Sequence, residues 1–330
     1  MDDRRTSWLE WAAYNIARGS NLADVANEMY ANGFCAQEVD KELHELTRHP
    51  AFLAAKRLGA DITKFSSLNK SLLELECQHF DFEKIERVAG ISKKEFHENY
   101  YTRNHPVIIE DVVNCWPAVT KWTMEFLRTR FGQERMAFQH CRSLQDHRDS
   151  FVDHSTEASF NEFLDLLDHP LSTEAPPYLI AHDRLLDRPP FDALLDDVIF
   201  DRRYFDPNGP KAGRVFFWMG GAATMTPLHR DLSNVYLAQI SGRKLIRMLP
   251  SKQLHQAYNE VGYHSEADFD KLDFEKFPLL KDAWIMETII KPGELLFIPL
   301  GWWHFVKSLD TTISITGNNF AFPNTFTSIF

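Results

Sequence analysis

Cysteine is scarce in this sequence, and no two cysteines stand close together. The four of them, at positions 35, 77, 115 and 141, form no CxxC pair, which argues against a zinc ribbon and against a dithiol redox centre. Disulfide frameworks are typical of small secreted domains, whereas this chain has 330 residues. We therefore expect buried free thiols.

Long apolar runs and an excess of positive charge are missing as well. No apolar stretch of 18 residues occurs, and the first residues, MDDRRTSWLEWAAYNIARG, lack the continuous apolar segment of a signal peptide. We therefore expect a soluble, cytoplasmic protein without a membrane partner. The net charge is −11, which argues against a nucleic-acid partner, because phosphates are bound through Lys and Arg.

The sequence does have enough apolar residues for a large core. They make up 44% of the chain, and aromatic residues make up 13%, which excludes a disordered protein. Residues 1–77 are predicted to form an N-terminal helical region, since apolar residues follow helical spacing between Leu22 and Tyr30. Two more helices of this region are predicted at 52–60 and 68–77.

Residues 78–330 are predicted to form a second domain that is mainly β with helices. Short runs rich in β-branched and aromatic residues alternate there with turn residues such as Pro292-Gly293. Many short strands with evenly spaced turns favour a double-stranded β-helix, the jelly-roll architecture of cupins, with an insertion at 251–287. The predicted strands are 105–113, 176–182, 213–220, 234–240 and 243–249, with four more between 287 and 320.

The pattern His-x-Asp occurs three times, at residues 79–81, 147–149 and 229–231. Only the last lies in an apolar, β-rich segment. Alternate residues of a strand project from one face, so the imidazole and the carboxylate of this motif are expected to point together. A distant partner is His304, on the next-to-last predicted strand.

Two histidines and one carboxylate on one side of a metal leave three coordination positions open. This arrangement is typical of non-heme Fe(II) oxygenases, in which a bidentate co-substrate and dioxygen both bind the metal. A structural zinc site is closed and usually contains cysteine, and no cysteine lies near these motifs. The sequence therefore predicts an iron site formed by His229, Asp231 and His304.

Lys244 begins a predicted strand that is otherwise rich in Leu, Ile and Met. A dicarboxylate co-substrate needs a cation at its far end, in a pocket dry enough to strengthen the pairing. The alternative, an ordinary lysine in solvent at the end of a strand, stays open at this point.

Two blocks, TPLHRDLSNVYLAQISGRKLIRMLP and KPGELLFIPLGWWHFVKSL, carry these residues in order. In both blocks the sequence resembles the JmjC hydroxylases, cupin-like enzymes that depend on Fe(II) and 2-oxoglutarate. Within this family the pattern is similar to that of the asparaginyl hydroxylase that acts on hypoxia-inducible factor. The likeness covers residues 80–322.

The resemblance implies roles for eight residues. Lys244, fifteen positions after the first ligand, matches the lysine that pairs with the distal carboxylate of 2-oxoglutarate, and Thr226 matches a hydroxyl that helps to hold it. The iron ligands implied are His229, Asp231 and His304, and the residues implied for 2-oxoglutarate are Lys244, Thr226, Tyr178, Asn234 and Asn318.

The implied reaction consumes 2-oxoglutarate and dioxygen, releases succinate and CO2, and oxidises a C–H bond of a substrate. Family members with Asp as the carboxylate ligand are more often hydroxylases, whereas histone demethylases mostly carry Glu. Asp231 therefore favours hydroxylation of a peptide or protein side chain over N-demethylation.

The sequence also suggests alternative functions. HRDLSN is similar to the catalytic loop of protein kinases, but its asparagine comes two positions too early and no glycine-rich loop accompanies it. A cupin-like module that binds a ligand or partner without turnover stays open, as does an oxygenase acting on RNA or a small metabolite. A homodimer is also left open, and if one forms we expect the N-terminal helices to supply its surface.

Overall fold

The computed structural model describes residues 3–17, 19–140, 155–169, 176–259 and 262–326. The chain packs as two compact units, Met1–His79 and Phe80–Phe330, so the observed division lies two residues after the one expected from the sequence. Over this described part, no helix combines the length and the apolar character that crossing a membrane requires.

The described part of the N-terminal unit consists of four helices, α1 (Asp3–Ala17), α2 (Leu22–Ala31), α3 (Ala36–Arg48) and α4 (Pro50–Glu76). The stripe predicted on α2 is largely buried, through Val25, Ala26 and Met29. The two helices expected at 52–60 and 68–77 are one continuous helix, because neither proline nor glycine occurs in the segment between them.

The second unit contains short helices and thirteen strands among its described residues. The helices are α5 (Lys93–Phe96), α6 (Ala118–Lys121), α7 (Met124–Phe131) and α8 (Phe160–Asp168), with a π-helical turn at His97–Tyr101. The strands are β1 (Glu86–Val88), β2 (Val107–Ile109), β3 (Arg135–Gln139), β4 (Ser155–Ser159), β5 (Tyr178–Leu179), β6 (Val215–Gly220), β7 (Met225–Arg230), β8 (Val235–Ser241), β9 (Lys244–Leu249), β10 (Met286–Ile290), β11 (Leu295–Ile298), β12 (Trp303–Ser308) and β13 (Thr312–Gly317).

These strands form two sheets that enclose a cavity. The larger sheet has the order β1-β2-β11-β8-β13-β6-β5-β3-β4, and the smaller one has the order β10-β9-β12-β7. Neighbouring strands are mostly distant in sequence and antiparallel, as in a jelly roll. The predicted double-stranded β-helix with preceding helices is therefore confirmed.

The insertion at 251–287 covers the outer face of the smaller sheet. Its Phe269, Phe277 and Leu280 pack in one buried cluster with Leu228 of β7 and Trp303 of β12. Because alternate residues of a strand face opposite ways, burying this outer face leaves the other face of β7 and β12 for the cavity.

The cysteines differ from the expectation in one respect. Cys35, Cys77 and Cys115 are free thiols, but they are exposed rather than buried. Two of them cap helices, at the beginning of α3 and at the end of α4, and the third lies in a short helical turn. Helix ends and turns lie at the surface, which explains the exposure. Cys141 and the His-x-Asp motif at 147–149 lie outside the described residues.

Candidate active site

The three predicted iron ligands meet where β7 and β12 pair. His229 and His304 are directly opposite each other in the antiparallel register. Asp231 follows the last residue of β7, and its carbonyl accepts a hydrogen bond of 3.1 Å from the N–H of Gly301 in the turn before β12. One ligand atom from each of the three side chains lies within 4.8 Å of the other two. Two strands that are far apart in sequence thus deliver three metal-ligating groups to one point.

The two histidines are oriented by their own strands. Nδ1 of His229 is 2.8 Å from the carbonyl oxygen of Pro227, and Nδ1 of His304 is 3.1 Å from that of Trp302. Each carbonyl accepts the Nδ1 proton, so Nε2 is left with a lone pair for a metal. Nε2 of His304 lies 3.6 Å from Oδ2 of Asp231, close to the separation of about 3 Å expected for two ligands that are each about 2.1 Å from one ion.

Burial favours the uncharged state that a metal ligand requires. Desolvation, reinforced by the neighbouring His304, lowers the pKa of His229 well below its usual value. Among the described residues no fourth His, Cys, Asp or Glu joins the group. The donor set therefore fits an iron with three open coordination positions.

A bulge in β7 explains how Thr226 reaches the same cavity as His229. In a regular strand, residues three positions apart face opposite sides. Here His304 pairs with His229 and Val306 pairs with Thr226, so one residue of β12 stands opposite two residues of β7. The extra residue brings Thr226 back to the cavity side, while Leu228 between them is fully buried in the outer cluster.

The cavity between the two sheets has a volume of about 630 Å³. At its metal end the side chain of Asp231 is 39% exposed, although that of His304 is only 5% exposed. At its other end Lys244 is 1% exposed. The cavity is therefore open to solvent beside the metal ligands and closed around the lysine.

Lys244 is the first residue of β9, as predicted, but it is not in solvent. Burial lowers its pKa from 10.5 to about 7. Within the described residues no carboxylate pairs with its Nζ, which lies 5.9 Å from the centre of the Tyr178 ring. A buried ammonium group without a counter-ion is unfavourable, so the structure excludes an ordinary strand-end lysine and fits an anionic ligand.

Further polar groups face the cavity beside this lysine. The hydroxyls of Tyr178 and Thr226 are 3.3 Å apart and both line it. Asn318, just after β13, also lines it, and its buried Oδ1 has no hydrogen-bond partner in the described structure. A cation, two hydroxyls and an amide that can form further hydrogen bonds are suited to bind a dicarboxylate.

Asn234 is the one predicted site residue that the structure places away from the cavity. Its Oδ1 accepts a hydrogen bond of 2.8 Å from the N–H of Leu300, and its Nδ2 donates to Oδ1 of Asn324 at 3.0 Å. Asn324 donates in return to the carbonyls of Asn234 and Asn318. The side-chain amide of Asn234 therefore forms hydrogen bonds that connect the start of β8 with the turn before β12 and with the segment after β13.

Sequence reasoning missed two polar residues of the cavity wall. Gln139 is the last residue of β3 and pairs in register with Tyr178. His264 is exposed, yet its ring lies 5.6 Å from that of His229 and borders the cavity. A polar residue ending an apolar strand was a usable signal for Gln139, and the signal for His264 was the pattern His264-x-Glu266, a near-match to the His-x-Asp motif.

Comparison with known proteins agrees with this geometry. Residues 93–326 match the family model of the cupin-like domain. The chain is 29% identical over 249 residues to the lysine-specific demethylase JMJ30 of Arabidopsis thaliana, covering 73% of this chain and 56% of that protein. It is 30% identical over 239 residues to the lysine-specific demethylase 8 of Xenopus tropicalis, covering 68% and 50%. It is also 30% identical over 265 residues to the arginine-specific demethylase JMJ20 of A. thaliana, covering 71% and 56%.

The chain spans about half of the length of these relatives. The match to the cupin-like model covers most of the second unit and includes all eight of the predicted site residues. The finer resemblance to an asparaginyl hydroxylase stays a prediction. Together with the fold and the three-ligand group, these matches establish that the chain belongs to the cupin-like JmjC family of Fe(II)- and 2-oxoglutarate-dependent oxygenases.

Proposed function

We propose that this protein is an Fe(II)- and 2-oxoglutarate-dependent dioxygenase that hydroxylates a side chain of a peptide or protein. The observation that carries the proposal is the pairing, within one cavity, of a three-ligand metal group with a buried lysine that has no carboxylate partner. A metal site alone is compatible with many functions. An anion-binding site at the closed end of the same cavity is what an oxygenase with a dicarboxylate co-substrate needs.

Each residue has a definable task in this reaction. Bound Fe(II) supplies the activation of dioxygen that accompanies the oxidative decarboxylation of 2-oxoglutarate. Lys244 pairs with the distal carboxylate of the co-substrate, and the hydroxyls of Thr226 and Tyr178 donate hydrogen bonds to it. Apolar side chains of the cavity wall, Ile298 and Val306, exclude water from the space between the two ends.

The open end of the cavity is where the second substrate must arrive. Since Lys244 is enclosed and Asp231 is partly exposed, the co-substrate occupies the inner part and the oxidised C–H bond approaches past Asp231. A side chain that protrudes from a peptide or protein suits such an opening. The names of the relatives, lysine-specific and arginine-specific demethylases, support a protein side chain as substrate.

An anaerobic titration of the metal-free protein with Fe(II) and 2-oxoglutarate tests the cofactor assignment. A complex in which 2-oxoglutarate chelates the iron absorbs visible light through a metal-to-ligand charge-transfer band. We expect this band in the wild type and not in His304→Ala. If neither Fe(II) nor 2-oxoglutarate binds, by absorption or by calorimetry, the oxygenase proposal is wrong and a cupin-like binding module is the better account.

N-demethylation is a second candidate, favoured by the names of the relatives. It uses the same cavity, because a hydroxylated N-methyl group decomposes to formaldehyde and the free amine. Peptides with unmodified and with methylated lysine and arginine, incubated with the protein, Fe(II), 2-oxoglutarate and air, separate the two candidates by mass. A stable gain of one oxygen atom supports hydroxylation, whereas loss of a CH₂ unit together with formaldehyde supports demethylation.

A further inference from the structure

The chain turns back after β13 and brings a polar side chain to the end of this strand. Nδ2 of Asn324 lies 3.0 Å from the carbonyl oxygen of Asn318, six positions earlier. Between these two residues, Phe320 is buried in the hydrophobic core, and the carbonyl of Pro323 accepts a hydrogen bond of 3.1 Å from the hydroxyl of Tyr101. Both contacts hold the path of the returning segment, so Asn324 has a defined place beside Asn318.

The side chain of Asn324 uses all of its hydrogen-bonding capacity. Its Oδ1 accepts from the backbone N–H of Asn234 at 2.9 Å and from Nδ2 of the same residue at 3.0 Å. Its Nδ2 donates to the carbonyl of Asn234 at 2.8 Å and to the carbonyl of Asn318. An amide side chain offers two N–H groups and an oxygen with two lone pairs, and here each of them has a partner. The orientation of Asn324 is therefore fixed.

These hydrogen bonds continue the pairing of β8 with β13. The last residues of the antiparallel register are Gly317 and Tyr236. Asn318 follows β13 directly, and Asn234 directly precedes β8. The side chain of Asn324 therefore connects the two backbones at the point where the register ends.

Asn318 is held at both of its backbone groups. Its N–H donates a hydrogen bond of 3.0 Å to the carbonyl of Arg214, and its own carbonyl accepts the one from Asn324. Its side chain lines the cavity with a buried Oδ1 that has no partner in the described structure. A group that binds a ligand is most effective when its neighbours hold it in the binding orientation before the ligand arrives. Without Asn324, the backbone of Asn318 would be held on one side only.

The metal ligands are held without Asn324. The carbonyl of Asp231 is bound by the N–H of Gly301, and both ligand histidines are oriented by carbonyls of their own strands. Asn324 itself lies outside the cavity wall. We infer that Asn324 is a positioning residue for the co-substrate, which holds the amide of Asn318 towards the cavity without touching the ligand. The inference rests on the proposed function, because that function assigns Asn318 to 2-oxoglutarate.

A double-mutant cycle on 2-oxoglutarate affinity tests the inference. Calorimetry of the Fe(II)-loaded protein under anaerobic conditions measures the affinity. We expect Asn324→Ala to weaken binding by about fivefold, as Asn318→Ala does. The double variant should also lose about fivefold and not about 25-fold, because both substitutions disable the same amide. Fe(II) affinity should remain that of the wild type in all three variants.

Asn234→Ala is the matched control for a general loss of stability. It removes two side-chain hydrogen bonds, but it keeps the bonds from Asn324 to the backbone of residue 234 and to Asn318. It should therefore be destabilised and still bind 2-oxoglutarate as the wild type does. Asn324→Asp keeps an accepting oxygen and loses the donor to Asn318, so it should weaken binding at least as much as Asn324→Ala.

Hydrogen exchange of the ligand-free protein provides a second readout. We expect Asn324→Ala to accelerate exchange of the N–H of Asn318 by about tenfold or more, because local opening there becomes easier. Asn318→Ala should leave exchange at this position nearly unchanged, since the carbonyl of residue 318 still accepts from Asn324. Peptides that span residue 318, analysed by mass, report the rate.

Three outcomes would overturn the inference. The first is wild-type affinity for 2-oxoglutarate in Asn324→Ala. The second is an additive loss of about 25-fold in the double variant, which would show that Asn324 acts independently of Asn318. The third is an equal loss of affinity in Asn234→Ala, which would attribute the effect to general destabilisation. In all three the wild type binds 2-oxoglutarate, whereas a wild type that fails to bind it overturns the proposed function and this inference together.

Discussion

The two ends of the cavity are built in opposite ways. At the metal end, the polar groups are oriented before any ligand arrives, since the backbone carbonyls of Pro227 and Trp302 hold the two imidazole rings. At the far end, Lys244 is buried with a lowered pKa and no carboxylate partner among the described residues. The metal end thus depends on geometry that the fold supplies, whereas the far end depends on a charge that only a ligand can balance.

This difference has a consequence for stability. Orienting His229 and His304 through backbone carbonyls satisfies polar groups and places no uncompensated charge in the interior. Keeping Lys244 dry costs free energy in the ligand-free protein, and an anionic ligand offsets that cost when it binds. Changes at the metal end should therefore act on binding alone, and changes at the far end on both binding and ligand-free stability.

Removing a metal ligand should have the largest effect. We expect His304→Ala to lower turnover of 2-oxoglutarate by at least about 1,000-fold, because two remaining ligands do not retain Fe(II) in the required geometry. Metal content and succinate formation are the measurements. His264→Ala is the control, since His264 lies next to His229 without belonging to the three-ligand group. Equal loss in both variants would contradict the assignment of ligands.

Removing the buried cation should separate binding from stability. We expect Lys244→Met to weaken 2-oxoglutarate binding by about 100-fold and, in the same variant, to raise the Tm of the ligand-free protein, since an apolar chain replaces a dry amine. Calorimetry and thermal unfolding measure the two effects. Lys307→Met, which breaks the partly exposed pair with Asp270, should leave 2-oxoglutarate binding unchanged. A lower Tm with unchanged affinity for Lys244→Met would show that the lysine is structural.

The affinity for 2-oxoglutarate should depend on pH through Lys244 at the far end of the cavity. Below pH 7 Lys244 is protonated and pairs directly with the co-substrate. Above its pKa of about 7, the amine must take up a proton to bind the anion, so the Kd for 2-oxoglutarate should rise up to about tenfold per pH unit. Titration calorimetry in buffers of different ionisation enthalpy should detect this proton uptake. Lys244→Arg should flatten the profile, because guanidinium stays charged, and an equally steep profile in that variant would contradict the assignment.

The smallest effect on the co-substrate is expected from the amides. Asn318→Ala should weaken 2-oxoglutarate binding by about fivefold, since it removes one cavity amide. Asn234→Ala should leave that affinity nearly unchanged and instead lower the free energy of unfolding by about 2 kcal/mol, because the N–H of Leu300 and the amide of Asn324 lose their partners. Affinity and denaturant unfolding, measured on both variants, check the contrast. A reversed pattern would place Asn234 at the ligand.

The part of the site that could be predicted from the sequence is the part that depends on the spacing of residues within a strand or beside a turn. His229 and Asp231 come from one motif on one strand, and His304 follows a turn that begins the next-to-last predicted strand. Within the strands, apolar and polar residues alternate or the residues are continuously apolar, so each strand could be recognised. The jelly roll was then predicted from the number and the spacing of the strands. These features depend on residues within a few positions of each other, which a single sequence displays.

The features that could not be predicted from the sequence depend on contacts between residues that are far apart in the chain. The burial of Lys244 is set by the larger sheet facing it. The hydrogen bonds that hold the side chain of Asn234 away from the cavity involve Asn324, ninety positions along the chain. The exposure of Leu58 and Phe65 on α4 likewise depends on which face of this helix its own unit covers. The cytoplasmic location stays a prediction, because no structural feature tests it.

The bulge in β7 makes the site tolerant of a change in the length of this strand. Most substitutions at Pro227 or Leu228 would leave the backbone path of the bulge in place. Deleting either residue would give a regular ladder against β12 in which Thr226 and His229, then two positions apart, both still face the cavity, because alternate side chains of a strand share a face. Over evolutionary time, descendants of this sequence can therefore accumulate substitutions at these two positions, or lose one of them, and still keep the metal site and the co-substrate site in one cavity.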